Sequence, residues 1–353
     1  MSIDKSGARK RNQFRRVQLS ILLLSLISMQ LVAGPRRRSP QADIFPDGTT
    51  VPEWFHTPAP VILDSLGPKF VLTEYGIFAD GNLHTEQIQA LIDKAAAQGG
   101  GVIVVPAGLY RTGALHFKPR THLHLMQGAI LQGSDFIGDY PLDTTRIEGE
   151  TCLYFGALIN ADHVDGFTIS GSGTIDGNGL RFHQAFWLQN SPYWTSHFYR
   201  CENLRICGVS FFSLGSPDDS MGPSTDAIDL DVVRNVHISH CHMEVNDDAI
   251  SMKGGKGPWA DDPVRCPGNG TNENVIIEDC TYGFCHSCLT LGSESVSNHN
   301  IIMRRISVDG AYNLLWLKMR PDTPSITVMS PWSNVRALST ISYTCVPGLN
   351  STI

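Results

Sequence analysis

Asn235-Val236-His237-Ile238-Ser239-His240-Cys241 is a turn residue followed by a short strand in which apolar and polar positions alternate. The pattern recurs as Gly166-Phe-Thr-Ile-Ser-Gly171, Asn203-Leu-Arg-Ile-Cys-Gly-Val209, Asn274-Val-Ile-Ile-Glu-Asp-Cys280 and Asn300-Ile-Ile-Met-Arg-Arg-Ile306. Successive copies begin 37, 32, 39 and 26 residues apart. Repeats of about 20–40 residues, all strand and with no helix between them, mark a parallel β-solenoid. One coil cannot bury its inner face alone, so coils stack. A propeller needs four strands per blade, which these intervals supply poorly. Cys241 and Cys280 stand six residues after their Asn and are read as inward residues stacked on one another.

Before the repeats the sequence predicts one amphipathic helix. Thr85 is the N-cap, Glu86 lies in the first turn, Ile88, Leu91, Ile92, Ala95 and Ala96 form the apolar face, and Gly99-Gly100-Gly101 ends it. The fold class is therefore all-β, a parallel β-helix with an N-terminal capping helix. Residues 35–67, rich in turn formers, read as a lead-in linker, and the solenoid occupies 68–324. Beyond Pro324 no repeat is visible, so 325–353 reads as an atypical tail that leaves strand edges uncapped. Residues 1–34 read as an export signal: a basic stretch to Arg16, an apolar run from Val17 to Val32, then Ala33-Gly34 as a cleavage site. The run is short for a membrane span. The mature chain is expected to be secreted or periplasmic, monomeric and without stable membrane insertion.

The composition is that of an ordinary globular protein, with 42% apolar residues, 33 Gly and 20 Pro. Net charge is -7 overall. Residues 1–42 hold nine Lys/Arg and one acid, so the rest carries 18 basic against 33 acidic residues, a net charge of -15. That balance disfavours nucleic acid as a partner. Nine cysteines, odd in number and irregular in spacing, define no disulfide framework. Cys285 and Cys288 have no partner pair and are read as buried thiols rather than zinc ligands.

The chemistry concentrates between Ser224 and Lys253. Asp226 precedes Asp247 by 21 residues, which is one coil if a coil takes about 21–25 residues here, and stacked coils lie about 4.8 Å apart. Crowded carboxylates repel and resist desolvation, so a purely structural role is a poor first reading. His286 and Lys318 follow at intervals that place them on later coils of the same face. Paired carboxyls are what glycosidic cleavage needs, one protonated toward the leaving oxygen and one ionised toward water or the sugar. Lys253, Lys256, Lys318 and Arg320 are the cations available to hold an acidic substrate, with Glu294 a further substrate contact. Asp229 and Asp231 alternate with Ile228 and Leu230 and read as structural residues of a half-exposed strand. His237, His240 and His242 divide between the two faces of their strand and read as surface residues.

These motifs resemble glycoside hydrolase family 28, the polygalacturonase and rhamnogalacturonase family. The similarity runs through E-Y-G-I-F-A-D-G (74–81), G-G-G-V-I-V-V-P-A-G (99–108) and S-G-S-G-T-I-D-G-N-G (170–179). Its more specific part is S-T-D (224–226), N-D-D (246–248), F-C-H-S-C (284–288) and W-L-K (316–318). The resemblance implies a right-handed helix, hydrolysis of α-linked galacturonate in pectin with inversion, and no cofactor. By motif position it makes Asp247 the general acid, Asp226 and Asp248 the groups that position and activate water, His286 the neighbour of the acid, and Lys318 a carboxylate binder. Arg320 is the candidate replacement for the arginine that the family carries where Trp316 stands. W-L-K-M-R-P-D-T-P resembles exo-acting bacterial members. The family also carries a further coil between Gly179 and Asn190, which this chain lacks. Two other readings fit parts of the pattern: a lyase that holds Ca²⁺ on Asp247 and Asp248, and a shortened solenoid that only binds polysaccharide.

Overall fold

Each repeat closes on an asparagine in the left-handed region, with φ of 55° at Asn203, 55° at Asn235, 57° at Asn274 and 59° at Asn300. Asn tolerates this conformation better than other residues with a Cβ. In the computed structural model, which describes residues 43–56, 59–179, 194–214 and 225–329 and the strands Ser333–Ala337, Ser342–Val346 and Ser351–Thr352, these side chains form a ladder. The Asn300 amide donates to Asn274 Oδ1 at 2.9 Å, Asn274 to Asn235 at 3.1 Å, Asn235 to Asn203 at 3.0 Å and Asn203 to Asp165 at 2.8 Å. At the other end Asn300 donates to Asp47 Oδ2 at 3.0 Å. Asn235→Ala should cost about 2–4 kcal/mol, from two lost ladder bonds and a strained backbone. Asn235→Gly keeps the backbone and should lose only the ladder share, and urea denaturation of the two variants separates the contributions.

Ladder spacing sets strand register. Ile169 pairs with Ile206, Ile206 with Ile238, Ile238 with Ile277 and Ile277 with Met303, all parallel. A second inward row stacks Leu204, Val236, Val275 and Ile301. The coil lengths are thus those of the sequence repeat. These side chains belong to one continuous core, each worth about 1.5–3 kcal/mol on burial. Cys241 and Cys280 are buried in that core, one coil apart, and Cys285 and Cys288 are buried there too. The result is a right-handed parallel β-helix. The helix Thr85–Ala97 puts Ile88, Leu91, Ile92 and Ala95 into the same core beside Phe70, Leu72 and Leu115. Its Thr85 hydroxyl caps nothing in the helix and accepts the Gly113 N–H at 2.6 Å instead.

Three other expectations change. First, the chain after Pro324 continues the sheets: Ser325–Met329 pairs parallel with the strand starting at Ser297, and Ser342–Val346 with Ala311–Met319. Second, the lead-in segment is packed down. Phe45, Val51 and Phe55 cluster with Ile276 and Ile302 on the outer face of the coils, and the Arg205 guanidinium stacks 4.5 Å from the Trp54 ring. That cover buries His237, which lies 2.9 Å from Glu278 Oε1, so it is not a surface residue. Third, Ile228–Asp231 is buried on both faces, because an antiparallel hairpin, Leu142–Ile147 with Glu150–Phe155, sends Arg146 to the Asp231 carboxylate at 3.0 Å. The export signal and the question of a coil between Gly179 and Asn190 fall outside the described residues. No helix among the described residues is long and apolar enough to cross a membrane.

Candidate active site

Eight parallel strands form the sheet that carries the acids. Its order is Leu115–Phe117, Ile159–Asp162, Ser196–Tyr199, Ile228–Asp231, Ile250–Lys253, Cys285–Ser293, Ala311–Met319 and Ser342–Val346. The acids and His286 stand at the entry to three neighbouring strands, and Lys318 near the end of the next, Ala311–Met319. Ile228 pairs with Ile250, so this coil is 22 residues long and Asp226 stacks on Asp248 rather than on Asp247. Two backbone bonds fix the stack: Ala227 N–H donates to the Asp248 carbonyl at 3.1 Å, and Asp248 N–H donates to Asp226 Oδ1 at 3.2 Å. Asp247 belongs under His286, whose N–H donates to the Asp247 carbonyl at 2.9 Å. The imidazole then follows the backbone, with Nδ1 3.3 Å from Asp247 Oδ1. Carboxylate oxygens of Asp226, Asp247 and Asp248 all lie within 4.8 Å of one another.

The three acids differ in exposure. Asp226 and Asp248 are buried at 2% and 1%, whereas the Asp247 side chain keeps 19% of its surface exposed to solvent. Burial, then the neighbouring Asp247, push the Asp226 carboxyl up to about 8. The same two causes raise Asp248. Carboxyls this close titrate as a set, and the set retains a proton near neutrality. His286 is raised by its hydrogen bond to Asp247, against the effect of burial.

The cations take different places. Lys253, expected to meet substrate, is 6% exposed and lies beneath the acids, 3.8 Å from Asp226 Oδ2, 3.7 Å from Asp229 Oδ1 and 3.8 Å from Glu294 Oε2. Glu294 is equally enclosed, so neither is open to solvent. Lys318 pairs in register with Gly292, holds its ammonium 4.8 Å from the Trp316 ring, and acts electrostatically on Asp226, Asp248 and His286. Arg320 donates to both oxygens of Asp322 at 2.9 and 2.8 Å, and Lys256 faces Glu148 and Glu150 of the hairpin at 3.8 and 3.6 Å. The structure thus gathers Asp226, Asp247, Asp248, His286 and Lys318, puts Lys253 and Glu294 under them, and ties Arg320 and Lys256 to acids elsewhere. Three carboxylates could hold a cation, but Lys253 and Lys318 already compensate this group, which favours an acid–base cluster over a metal centre.

Several residues at the site carry no sequence signal. The Thr225 hydroxyl donates to the Ser213 carbonyl at 2.6 Å and accepts the Asn246 N–H at 3.0 Å, holding both acidic turns in place. The Tyr312 ring lies 5.8 Å from that of His286, and Trp194 lies 5.1 Å from the Lys253 ammonium. Asp231 resists burial because His197 at 3.6 Å and Arg146 at 3.0 Å outweigh it, and its carboxyl stays below the ordinary range. Arg146 comes from a hairpin outside the repeat, so no periodicity points to it.

Residues 184–323 match the profile of glycosyl hydrolases family 28. The match takes in 140 of the chain's 353 residues, among them Asp226, Asp247, Asp248, His286 and Lys318. A Vitis vinifera protein called "Probable polygalacturonase" is 26% identical over 259 residues, covering 63% of this chain and 51% of that protein. The exo-poly-alpha-D-galacturonosidase of Dickeya chrysanthemi is 41% identical over 125 residues, covering 32% of this chain and 20% of that protein. The chain therefore spans about half or less of the length of these two relatives. Among solved structures, an exopolygalacturonase from Thermotoga maritima superposes with a TM-score of 0.60 at 20% identity, covering 79% of this chain and 78% of that one. At that identity the likeness speaks for the fold alone.

Proposed function

We propose that this chain is a family 28 glycoside hydrolase that cleaves α-linked galacturonic acid residues in pectin, and that the mature protein works in the periplasm or outside the cell. The observation that carries the reading is the set of three carboxyls, one imidazole and one lysine brought together from four successive coils. In this reading Asp247, the carboxyl open to solvent, delivers the proton of the acidic set to the leaving oxygen. Asp226 and Asp248 hold and activate water. His286 orients Asp247 and sets its charge, and Lys318 receives the carboxylate of a galacturonate unit. The Dickeya chrysanthemi relative, named for exo action, supports attack from a chain end.

Incubation with polygalacturonate and with rhamnogalacturonan fragments should release reducing ends without unsaturated uronate and without loss on adding EDTA. An unsaturated, EDTA-sensitive product would replace this reading with the Ca²⁺-dependent lyase. No product from either substrate would leave the polysaccharide-binding reading. Proton NMR of the first-formed sugar should show inversion at the anomeric carbon. In two-carboxyl glycosidases, separations of about 6.5–9.5 Å accompany inversion and about 5–5.5 Å retention. Here the oxygens lie within 4.8 Å, so inversion depends on the third carboxyl taking part in holding the water. A retained product would remove Asp226 and Asp248 from the role of water activators.

A further inference from the structure

Lys253 stands on the strand Ile250–Lys253, at the end away from the acidic turn that precedes that strand. Its side chain returns beneath the acids. The ammonium has three carboxylates around it: Asp226 at 3.8 Å, Asp229 at 3.7 Å and Glu294 at 3.8 Å. It donates to the Gly292 carbonyl at 3.4 Å and lies 5.1 Å from the face of the Trp194 ring. All three acids are nearly sealed from solvent, at 2%, 0% and 6% exposure. A buried charge that loses its partner is expensive, so such a cluster is held tightly when complete. Lys253 is too enclosed to bind a polysaccharide, and its position suits a different task.

We propose that Lys253 is a positioning residue for Asp226, clasped from below so that it fixes the direction and the charge of that carboxylate. This role rests on the hydrolase reading above. Asp226 Oδ1 is occupied by the Asp248 N–H and Oδ2 faces the ammonium, so the carboxylate is held at both oxygens. The other groups that act on Asp226 are Asp247, Asp248 and Lys318, and Asp229, which shares a side-chain hydrogen bond with it and is raised well above its ordinary value by burial and by Asp226. Those acting on Lys253 are Asp229, Asp226, Glu294 and Asp248. Burial raises the proton affinity of Asp226 and Lys253 opposes it. Glu294 competes for the same ammonium. Removing Lys253 or Glu294 should therefore move the acidic set in opposite directions.

The test compares pH profiles of kcat/KM on polygalacturonate for wild type, Lys253→Met and Glu294→Gln. An opposite charge within about 4–6 Å is worth about 1–3 pH units, so Lys253→Met should displace the profile to higher pH by that amount, with kcat reduced and KM little changed. Glu294→Gln should displace it to lower pH. A rise in KM alone would assign Lys253 to substrate. Loss of activity with both profiles unmoved would make it purely structural, and either result overturns the proposal. If Lys253→Met does not fold, the sign of the Glu294→Gln shift decides the matter. A second readout needs no turnover: ¹³C NMR titration of Asp-labelled protein should show the Asp226 carboxyl moving up in Lys253→Met and down in Glu294→Gln. If wild type hydrolyses no pectin, the hydrolase reading fails while this titration still tests the link between Lys253 and Asp226.

Discussion

Asp247→Asn should lower kcat on polygalacturonate by about 10²–10⁴-fold with little change in KM, the range expected when a positioned general acid is lost. The substitution is close to isosteric and falls on the one carboxyl of the three that is open to solvent, so the fold should be undisturbed. It also removes the carboxylate charge whose hydrogen bond holds His286 above its ordinary value. The His286 imidazole should therefore titrate at lower pH in the variant, as ¹H–¹⁵N NMR of the ring would show. The two readouts together separate roles. A collapse of kcat with a shifted His286 gives Asp247 the proton transfer and the tuning of the imidazole. Full activity in Asp247→Asn would remove it as the acid, and Asp226, pushed up to about 8, would become the alternative.

The sequence made the architecture readable because one chemical device is repeated. Asn203, Asn235, Asn274 and Asn300 mark the turn at each coil, and the ladder they form keeps coil lengths of 32, 39 and 26 residues in register. The same arithmetic brought Asp226 to within one residue of its true stacking partner, Asp248. What could not be read was which faces receive a cover. Alternation in Ile228–Asp231 and around His237 signals two faces but does not say that a distant hairpin or the segment around Phe45 and Phe55 packs on the outer one. Hence alternation alone reads Asp229 and Asp231 as structural residues of a half-exposed strand and His237 as a surface residue, where the fold buries all three. Lys253 was misplaced for the same reason. A lysine beside an acidic motif looks like a substrate contact until the number of carboxylates beneath it is known.

Asp226→Asn should abolish hydrolysis while making the protein more stable. Asp226 holds its proton up to about 8 in the folded chain because of burial and then Asp247, whereas in the unfolded chain it releases that proton near 3.8. A group with a raised folded value supports the fold below the unfolded value, and that support is lost as pH climbs toward the folded one. Between about pH 4 and 8, therefore, the unfolded state gains by releasing a proton that the native state keeps. Asn removes this penalty and can still accept the Asp248 N–H now bonded to Asp226 Oδ1 at 3.2 Å. Lys253 retains Glu294 at 3.8 Å as an anion, so the substitution does not strand the ammonium. Each kcal/mol recovered should raise Tm by about 2–4 °C, judged from domains of comparable size. The distinguishing feature is the pH dependence: the advantage should vanish near pH 3 and grow toward pH 8. A variant less stable than wild type at pH 7 would make Asp226 a structural anchor, and one more stable by the same margin at every pH would mean that the gain does not come from the carboxyl's proton. The expected result makes the acidic cluster a place where the fold gives up stability to hold, within the set, the proton that Asp247 passes to the leaving oxygen.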